Sequence, residues 1–353
     1  MIVLIGIWGS NRSLLRPFLP PGKPLIEALN SYRRRDQGPH IVVLGGGHGL
    51  ASLLRGLKEF THNITAIVTV SDDGGSSGEL RKNMGILPPG DIRNCLAALS
   101  NNEDLLSQVF QYRFAAGAGL EGHSLGNLLI TALTEITGSF EEAVAESGRV
   151  LAVFGRVLPS TLTDVRLLAD LENGDGKIHH VMGETQIRET PGSVRRLWLD
   201  PANTPAFPPA ISAVLSADMI VIGPGSLYTS LLPNLLVRDL AEAVRASQAL
   251  KFFICNVATE KGETDHFTCL DHVRSVEQHV GEGIFDLVIC NNYFEGYLGS
   301  GSQWVKIDQE LIDHSPVYCA NLVDPVYPWR HDSKHLAKTI MDLFYERTGP
   351  LSS

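Results

Sequence analysis

Short unbroken apolar runs alternate with amphipathic stretches along most of the chain. His40–Leu44 is β-branched and continuous, stops at a glycine cluster, and is followed by the helix-periodic LASLLRGLKEF, which predicts strand, tight loop, helix. The same grammar predicts strands over Ile64–Val70, Met219–Ile222, Lys251–Asn256 and Phe285–Cys290. Helices are predicted over LLVRDLAEAVRASQA and LDHVRSVEQHV between the last three. Continuous apolar strands separated by amphipathic helices fit a mainly parallel sheet covered on both faces, so the fold class is doubly wound α/β. Residues 91–114 and 126–156 read as mainly helical. Residues 160–210, with NGDG, ETPGS and PANTPAFPP, read as short strands and turns forming a smaller inserted lobe. The main domain spans 40–330, and a closing helix runs from Ser333, its expected cap, to Arg347 within a terminal segment 331–353.

Composition narrows the class. The 353 residues are 44% hydrophobic and 19% charged, too apolar for a disordered chain and too sparsely charged for a long coiled coil. With 39 acidic against 29 basic side chains the net charge is -10, which repels a phosphate backbone and argues against nucleic acid as a partner. It leaves room for a small anion held by local backbone N–H groups. The cysteines (Cys95, Cys255, Cys269, Cys290, Cys319) are odd in number and form no CxxC pair, the habit of reduced thiols in a cytosolic protein rather than of a zinc or disulfide framework.

The segment 1–39 is expected to be an extension and linker, rich in Pro and Arg, with one short helix. Its first eight residues, MIVLIGIW, fall far short of the roughly 20 that span a bilayer and lack a basic n-region. They are either a strand or helix packed on the body or the stump of a membrane anchor ahead of Arg33-Arg34-Arg35.

In open α/β sheets ligands bind beyond the carboxyl ends of the strands, where loops enter helix N-termini. Five such segments are candidates. Gly45, Gly46, Gly47 and Gly49, interrupted by His48, let a phosphate approach the backbone, although they match neither a Walker A loop nor GxGxxG. Asp72 and Asp73 end the next strand and can meet ribose hydroxyls or Mg²⁺. They are followed by Gly74, Gly75, Ser76 and Ser77, and their spacing from the first loop also allows a dinucleotide. Asp91 is expected to cap the next helix, with Arg93 in its first turn facing a phosphate or Asp72, and Asn94 beside it. Gly223, Gly225, Ser226, Tyr228, Thr229, Ser230 and Asn234 repeat the strand-to-loop design, and the loop from Asn256 to Phe267 mixes acceptors with an aromatic.

Gly122-His123-Ser124-Leu125-Gly126 has the GxSxG form of a hydrolase nucleophile, but no buried strand precedes it. His123, Ser124 and Asn127 are therefore expected to present polar groups at a helix start. His179, His180, His266, His272 and His279 lack zinc-site spacing.

The order of these motifs, from GGGHGLASLLRGLK through SDDGGSSGELR, LPPGDIRN, GHSLGNLLITALTEITG and IGPGSLYTSLLPNLLV to GETDHFTCLDHV, resembles the gluconeogenesis factor (YvcK-like) family, which is related to CofD-type 2-phospho-L-lactate transferases. The resemblance covers roughly Ile41–Asn291. It implies a Rossmann-like sheet, a cytoplasmic protein needed for cell shape and for growth on gluconeogenic carbon, and a UDP-sugar such as UDP-N-acetylglucosamine as ligand. It points to binding and regulation rather than to an established reaction. Alternatives are a CofD-like phospholactyl or phosphoryl transferase and an NAD-type dinucleotide binder. Mg²⁺ is the one candidate cofactor. Cell-wall synthesis or regulatory proteins, a membrane through the N-terminus, and further copies of the chain are the candidate partners. The chain departs from the family at His48 and at His266-Phe267. Phe267 can stack on a uracil but cannot donate a hydroxyl hydrogen bond.

Overall fold

The computed structural model of the protein describes residues 35–101 and 105–349. The expectations for MIVLIGIW and for most of the Pro- and Arg-rich linker therefore lie outside the described residues.

The amino-terminal half begins with β1 (Ile41–Gly45), α1 (Gly47–Leu57), β2 (Ile64–Val68), α2 (Gly75–Met84), α3 (Gly90–Leu99) and α4 (Leu105–Gln111). It continues with α5 (Leu125–Thr137), α6 (Phe140–Val150) and β3 (Arg156–Pro159). An inserted unit follows: β4 (Arg166–Glu172), β5 (Ile178–Met182), α7 (Glu184–Glu189) and β6 (Ser193–Asp200). The chain then runs through α8 (Pro208–Leu215), β7 (Met219–Ile222), a π-helical turn at Leu227–Leu231, α9 (Leu232–Leu235) and α10 (Arg238–Ala246). It closes with β8 (Leu250–Ile254), α11 (Cys269–Val280), β9 (Leu287–Asn291), α12 (Gln309–His314), β10 (Val317–Ala320) and α13 (Ser333–Thr348).

The main sheet has seven strands in the order β10-β9-β8-β7-β1-β2-β3, and every neighbouring pair is parallel. Every residue of β1, β2, β7 and β9 is buried, which is why their sequences show no alternation: helices cover both faces. The inserted unit is a separate antiparallel sheet, β5-β4-β6, whose middle strand alternates buried and half-buried positions, as a sheet with one packed face should. The fold is the expected α/β architecture with a smaller insert.

The strand order places the site. From β1 the chain builds outward through β2 and β3, then returns to the other side of β1 as β7 and continues outward to β10. The order reverses between β1 and β7, and a crevice opens there at the carboxyl ends of the strands. Both bounding loops are glycine loops, Gly45–Gly49 and Gly223–Ser226. Gly49 is required by their contact: a Cβ there would lie 2.8 Å from the Pro224 carbonyl oxygen.

Local starts differ from the sequence reading in three places. Helix α1 begins at Gly47, earlier than the expected start near Leu50, because Gly47 takes φ +64 and turns the chain at once. Asp91 is not the cap of α3; Pro88-Pro89-Gly90 starts the helix before it, so Asp91 lies in the first turn. Ser333 is likewise not the cap of α13. Asp332 is, accepting the His335 N–H at 2.7 Å, while the Ser333 hydroxyl donates to the Ser52 carbonyl and ties α13 to α1. Among the described residues no helix is long and apolar enough to cross a membrane.

Candidate functional site

A cavity of about 930 Å³ occupies the crevice between β1 and β7. Its floor is the backbone of Gly46, Gly47, His48 and Gly49 at the start of α1, facing Pro224, Gly225 and Ser226. Gly46 has to be glycine, since a Cβ would come within 2.5 Å of an Asp91 carboxylate oxygen. Backbone N–H groups at this helix start, joined by the dipole, attract an anion.

Carboxylates line one wall. Asp72 accepts the Gly74 N–H at 2.9 Å, and Asp91 stands close enough for the two to repel. Burial, with Asp72 adding to it, pushes Asp91 up to about 6, against the pull of the Gly47 N–H. Burial also raises Asp72, opposed by the Gly74 N–H and the Ser77 hydroxyl. Glu184, from the insert, is raised well above its ordinary value by burial and by Asp72. On the far side Glu260 is pushed up to about 7 by burial and by Glu263.

Cations answer from three directions: Arg188 from α7, Lys261 from the loop after β8, and Arg330 from the loop before α13. Arg188 is the most elaborately held. Its Nε pairs with Glu263 at 2.8 Å, and its Nη2 reaches Thr229 Oγ1 at 2.9 Å, Ser226 Oγ at 3.2 Å and Glu184 at 3.2 Å. Burial disfavours its charge, but Glu263 and Glu184 outweigh burial and hold the guanidinium protonated. This side chain bridges the insert to the main sheet. Burial, with Arg330 and Arg93 adding to it, lowers the His48 pKa, and burial lowers His331 to about 4, so both histidines are neutral near pH 7. Exposed Tyr297 and Trp329 form the mouth.

Ten of the residues proposed from the sequence line this cavity: Gly46, Gly47, Gly49, Asp72, Asp91, Asn94, Gly225, Ser226, Ser230 and Asn256. Others stand behind it. Gly45 ends β1, Gly223 follows β7, and Gly74 caps α2 with Gly75, Ser76 and Ser77 in its first turn. Asp73 turns away from Asp72 and accepts both the N–H and the hydroxyl of Thr185, so it fastens the insert instead of pairing with Asp72 around a cation. Arg93 bonds Ser124, Asn127 Oδ1 (3.2 Å) and Asn94 Oδ1 (2.8 Å) rather than Asp72. His123 and Asn127 both meet the Ser76 hydroxyl, at 2.9 and 3.0 Å.

Ser124 is fully buried and caps α5, with His123 turned to Ser76 instead, so the GxSxG segment is a helix start and not a nucleophile elbow. Tyr228 is buried with its hydroxyl on Ser275, Thr229 donates to Glu263, and the Asn234 amide donates to the carbonyls of Gly45 and Ser230. Phe267 lines an adjoining pocket of about 520 Å³ that shares Tyr297, Leu298, Gly299 and Ser302 with the main cavity.

The sequence reading missed Glu184, Arg188, Tyr297, Trp329 and Arg330 as site residues, and it singled out the loop of Glu260, Lys261 and Glu263 without assigning those three to the site. The charged pair on α7 sits four residues apart, on one helix face, which is the only local signal it offered.

Comparison with known proteins is consistent along the whole domain. The family described as 2-phospho-L-lactate transferase CofD matches residues 41–323. The gluconeogenesis factor of Bacillus subtilis is 51% identical over 256 residues, covering 72% of this chain and 80% of its own. A gluconeogenesis-factor homologue from Nostoc sp. is 48% identical over 354 residues, 96% of this chain and 77% of its own. The crystal structure of a UPF0052 family member from Bacillus halodurans superposes with a TM-score of 0.81 at 43% identity, covering 86% of this chain and 99% of that one.

Proposed function

The chain belongs to the CofD family, among the gluconeogenesis factors, and from that premise we propose that it is a cytoplasmic regulator that binds a nucleotide sugar of the UDP-N-acetylglucosamine kind and acts in cell shape during gluconeogenic growth. The observation that carries this reading is the cavity at the strand-order reversal. There the N–H groups of a helix start face Arg188 and Arg330 across a space of about 930 Å³, with Tyr297 and Trp329 at its mouth. A diphosphate suits the N–H groups and guanidinium ions, and a planar base suits the aromatic rim. A cavity of this size takes a ligand of nucleotide-sugar dimensions.

Charge sets a condition on that ligand. Asp72, Asp91, Glu184, Glu260 and Glu263 share the cavity with Arg188, Lys261 and Arg330, and each of these carboxyls that is ionised adds repulsion against a bare diphosphate. Carboxylates that accept sugar hydroxyls, or a divalent cation between carboxylate and phosphate, remove it. The buried oxygens of Asp72 and Asp91 are hard donors that already repel each other, and they suit Mg²⁺. Bound there, Mg²⁺ would neutralise phosphate charge, while the protein's own Arg188 and the Gly46–Gly49 backbone orient the diphosphate.

A thermal-shift panel tests the reading. UDP-N-acetylglucosamine with Mg²⁺ is expected to raise Tm more than UDP, NAD or free N-acetylglucosamine, and an unchanged Tm with every nucleotide at millimolar concentration sinks it. The Asp72–Asp91 pair also favours a second reading, a CofD-like transferase. Such an enzyme would pass a phospholactyl group from a nucleoside-diphosphate-activated donor to an acceptor hydroxyl, releasing the nucleoside monophosphate. Formation of that monophosphate with a deazaflavin acceptor distinguishes the two.

A further inference from the structure

Three cysteines that are distant in sequence and form no spacing motif converge in the interior. Cys255 follows β8, Cys290 lies in β9, and Cys269 is the first residue of α11, the crossover helix between those strands. Ile254 and Ile289 are register partners in adjacent parallel strands, so Cys255 and Cys290 are the next residues along and share one sheet face. Helix α11 folds back over that face and brings its first turn down on the pair. All three Sγ atoms lie within 4.8 Å of one another, and the residues are 0%, 1% and 0% exposed in chain order.

The surroundings favour charge on sulfur. Helix α11 carries a complete capping box from Thr268 and Asp271, so its first turn is well formed and its dipole points at Cys269. Hydrogen bonds from the other two thiols draw the Cys269 thiol below its ordinary value, while burial holds Cys255 well up. Among the described residues no carboxylate or imidazole belongs to the group, and an all-sulfur donor set selects soft cations over Mg²⁺ or Ca²⁺.

We propose that Cys255, Cys269 and Cys290 form a buried trithiolate site for a single thiophilic d¹⁰ cation, zinc(II) or copper(I). On binding, three sulfur–metal bonds form, whichever of the three thiols are still protonated release their protons to solvent, and no electron is transferred. The cation pins the start of α11 to the ends of β8 and β9. That also fixes the connecting loop, 256–268, which carries Glu260 and Glu263 into the cavity. His331 lies at the boundary between the two sites, with its Nε2 on the Cys255 carbonyl at 3.2 Å and its ring in the cavity wall.

The test uses the full chain produced in medium supplemented with zinc, copper or cobalt and purified under reducing conditions, so that metal enters during folding. Elemental analysis is expected to find close to one zinc or copper per chain. The cobalt-grown protein should show thiolate-to-cobalt charge-transfer absorption in the near ultraviolet. Cys269→Ser should lose the band, and Cys95→Ser, at a buried cysteine outside the cluster, should keep it. Should Cys269→Ser fail to fold, the spectra of the wild type and of Cys95→Ser decide alone. Protein without stoichiometric metal from all three media overturns the proposal, as does bound cobalt with no sulfur band or a band that survives Cys269→Ser. Nucleotide binding is read separately, so failure here leaves the nucleotide-sugar reading standing.

Discussion

Glu260→Gln isolates the electrostatic cost of the cavity. The Glu260 carboxylate accepts hydrogen bonds from Ser226 Oγ at 2.5 Å and Asn256 Nδ2 at 3.2 Å, yet burial and the neighbouring Glu263 push its pKa from an ordinary 4.5 up to about 7. A carboxyl raised in the folded state keeps a proton that the unfolded chain has already released. Stability therefore falls as pH rises from about 4.5 to about 7, and the loss is complete above that window. At 1.36 kcal/mol per pKa unit the whole shift corresponds to roughly 3 kcal/mol. Glu260 keeps some contact with water, so we expect about 1–2 kcal/mol in practice. Glutamine has the same shape, retains an acceptor oxygen and cannot ionise. Denaturant unfolding of the ligand-free protein should show the variant more stable than wild type by about 1–2 kcal/mol at pH 8 and indistinguishable at pH 4.5. An equal gain at both pH values, or a loss at pH 8, refutes the assignment of a penalised carboxylate.

Gly46→Ala drives a methyl into the Asp91 carboxylate and should cost about 1–3 kcal/mol by thermal unfolding; in the Asp91→Ala background most of that cost should vanish, because the clashing oxygen is gone. Arg93→Met removes the hub of a buried network with Ser124, Asn127 and Asn94, so it should lower stability by about 2–4 kcal/mol while changing nucleotide affinity little. A variant as stable as wild type but unable to bind would return Arg93 to the cavity. Trp329→Ala at the exposed cavity mouth should leave Tm nearly unchanged and weaken nucleotide-sugar binding about 10-fold in a titration, the worth of one stacked base.

The sequence was most legible where one local pattern decides one element. The β-branched runs ending in glycine clusters placed β1, β2 and β7, because a strand buried on both faces cannot alternate, and the glycine loops led directly to the crevice. Legibility fell where direction depends on another segment. Asp72 and Asp73 are adjacent and chemically equal, but Thr185 in the insert captures Asp73 and leaves Asp72 to the cavity. Arg188 sits on a six-residue helix in a lobe whose docking no local pattern describes. Tyr297, Trp329 and Arg330 come from irregular loops that only the folded sheet brings to one mouth. The three converging cysteines follow from strand register and from the helix crossing above it, neither of which is visible in their spacing.

The most direct measurement is a calorimetric titration of the purified chain with UDP-N-acetylglucosamine, with and without Mg²⁺, run beside Arg188→Gln. The account predicts saturable binding at one site, stronger with Mg²⁺ and weakened at least about 10-fold by the substitution, the loss of a charge-assisted phosphate contact. No binding heat at millimolar ligand in either condition, or wild-type affinity in Arg188→Gln, would contradict it.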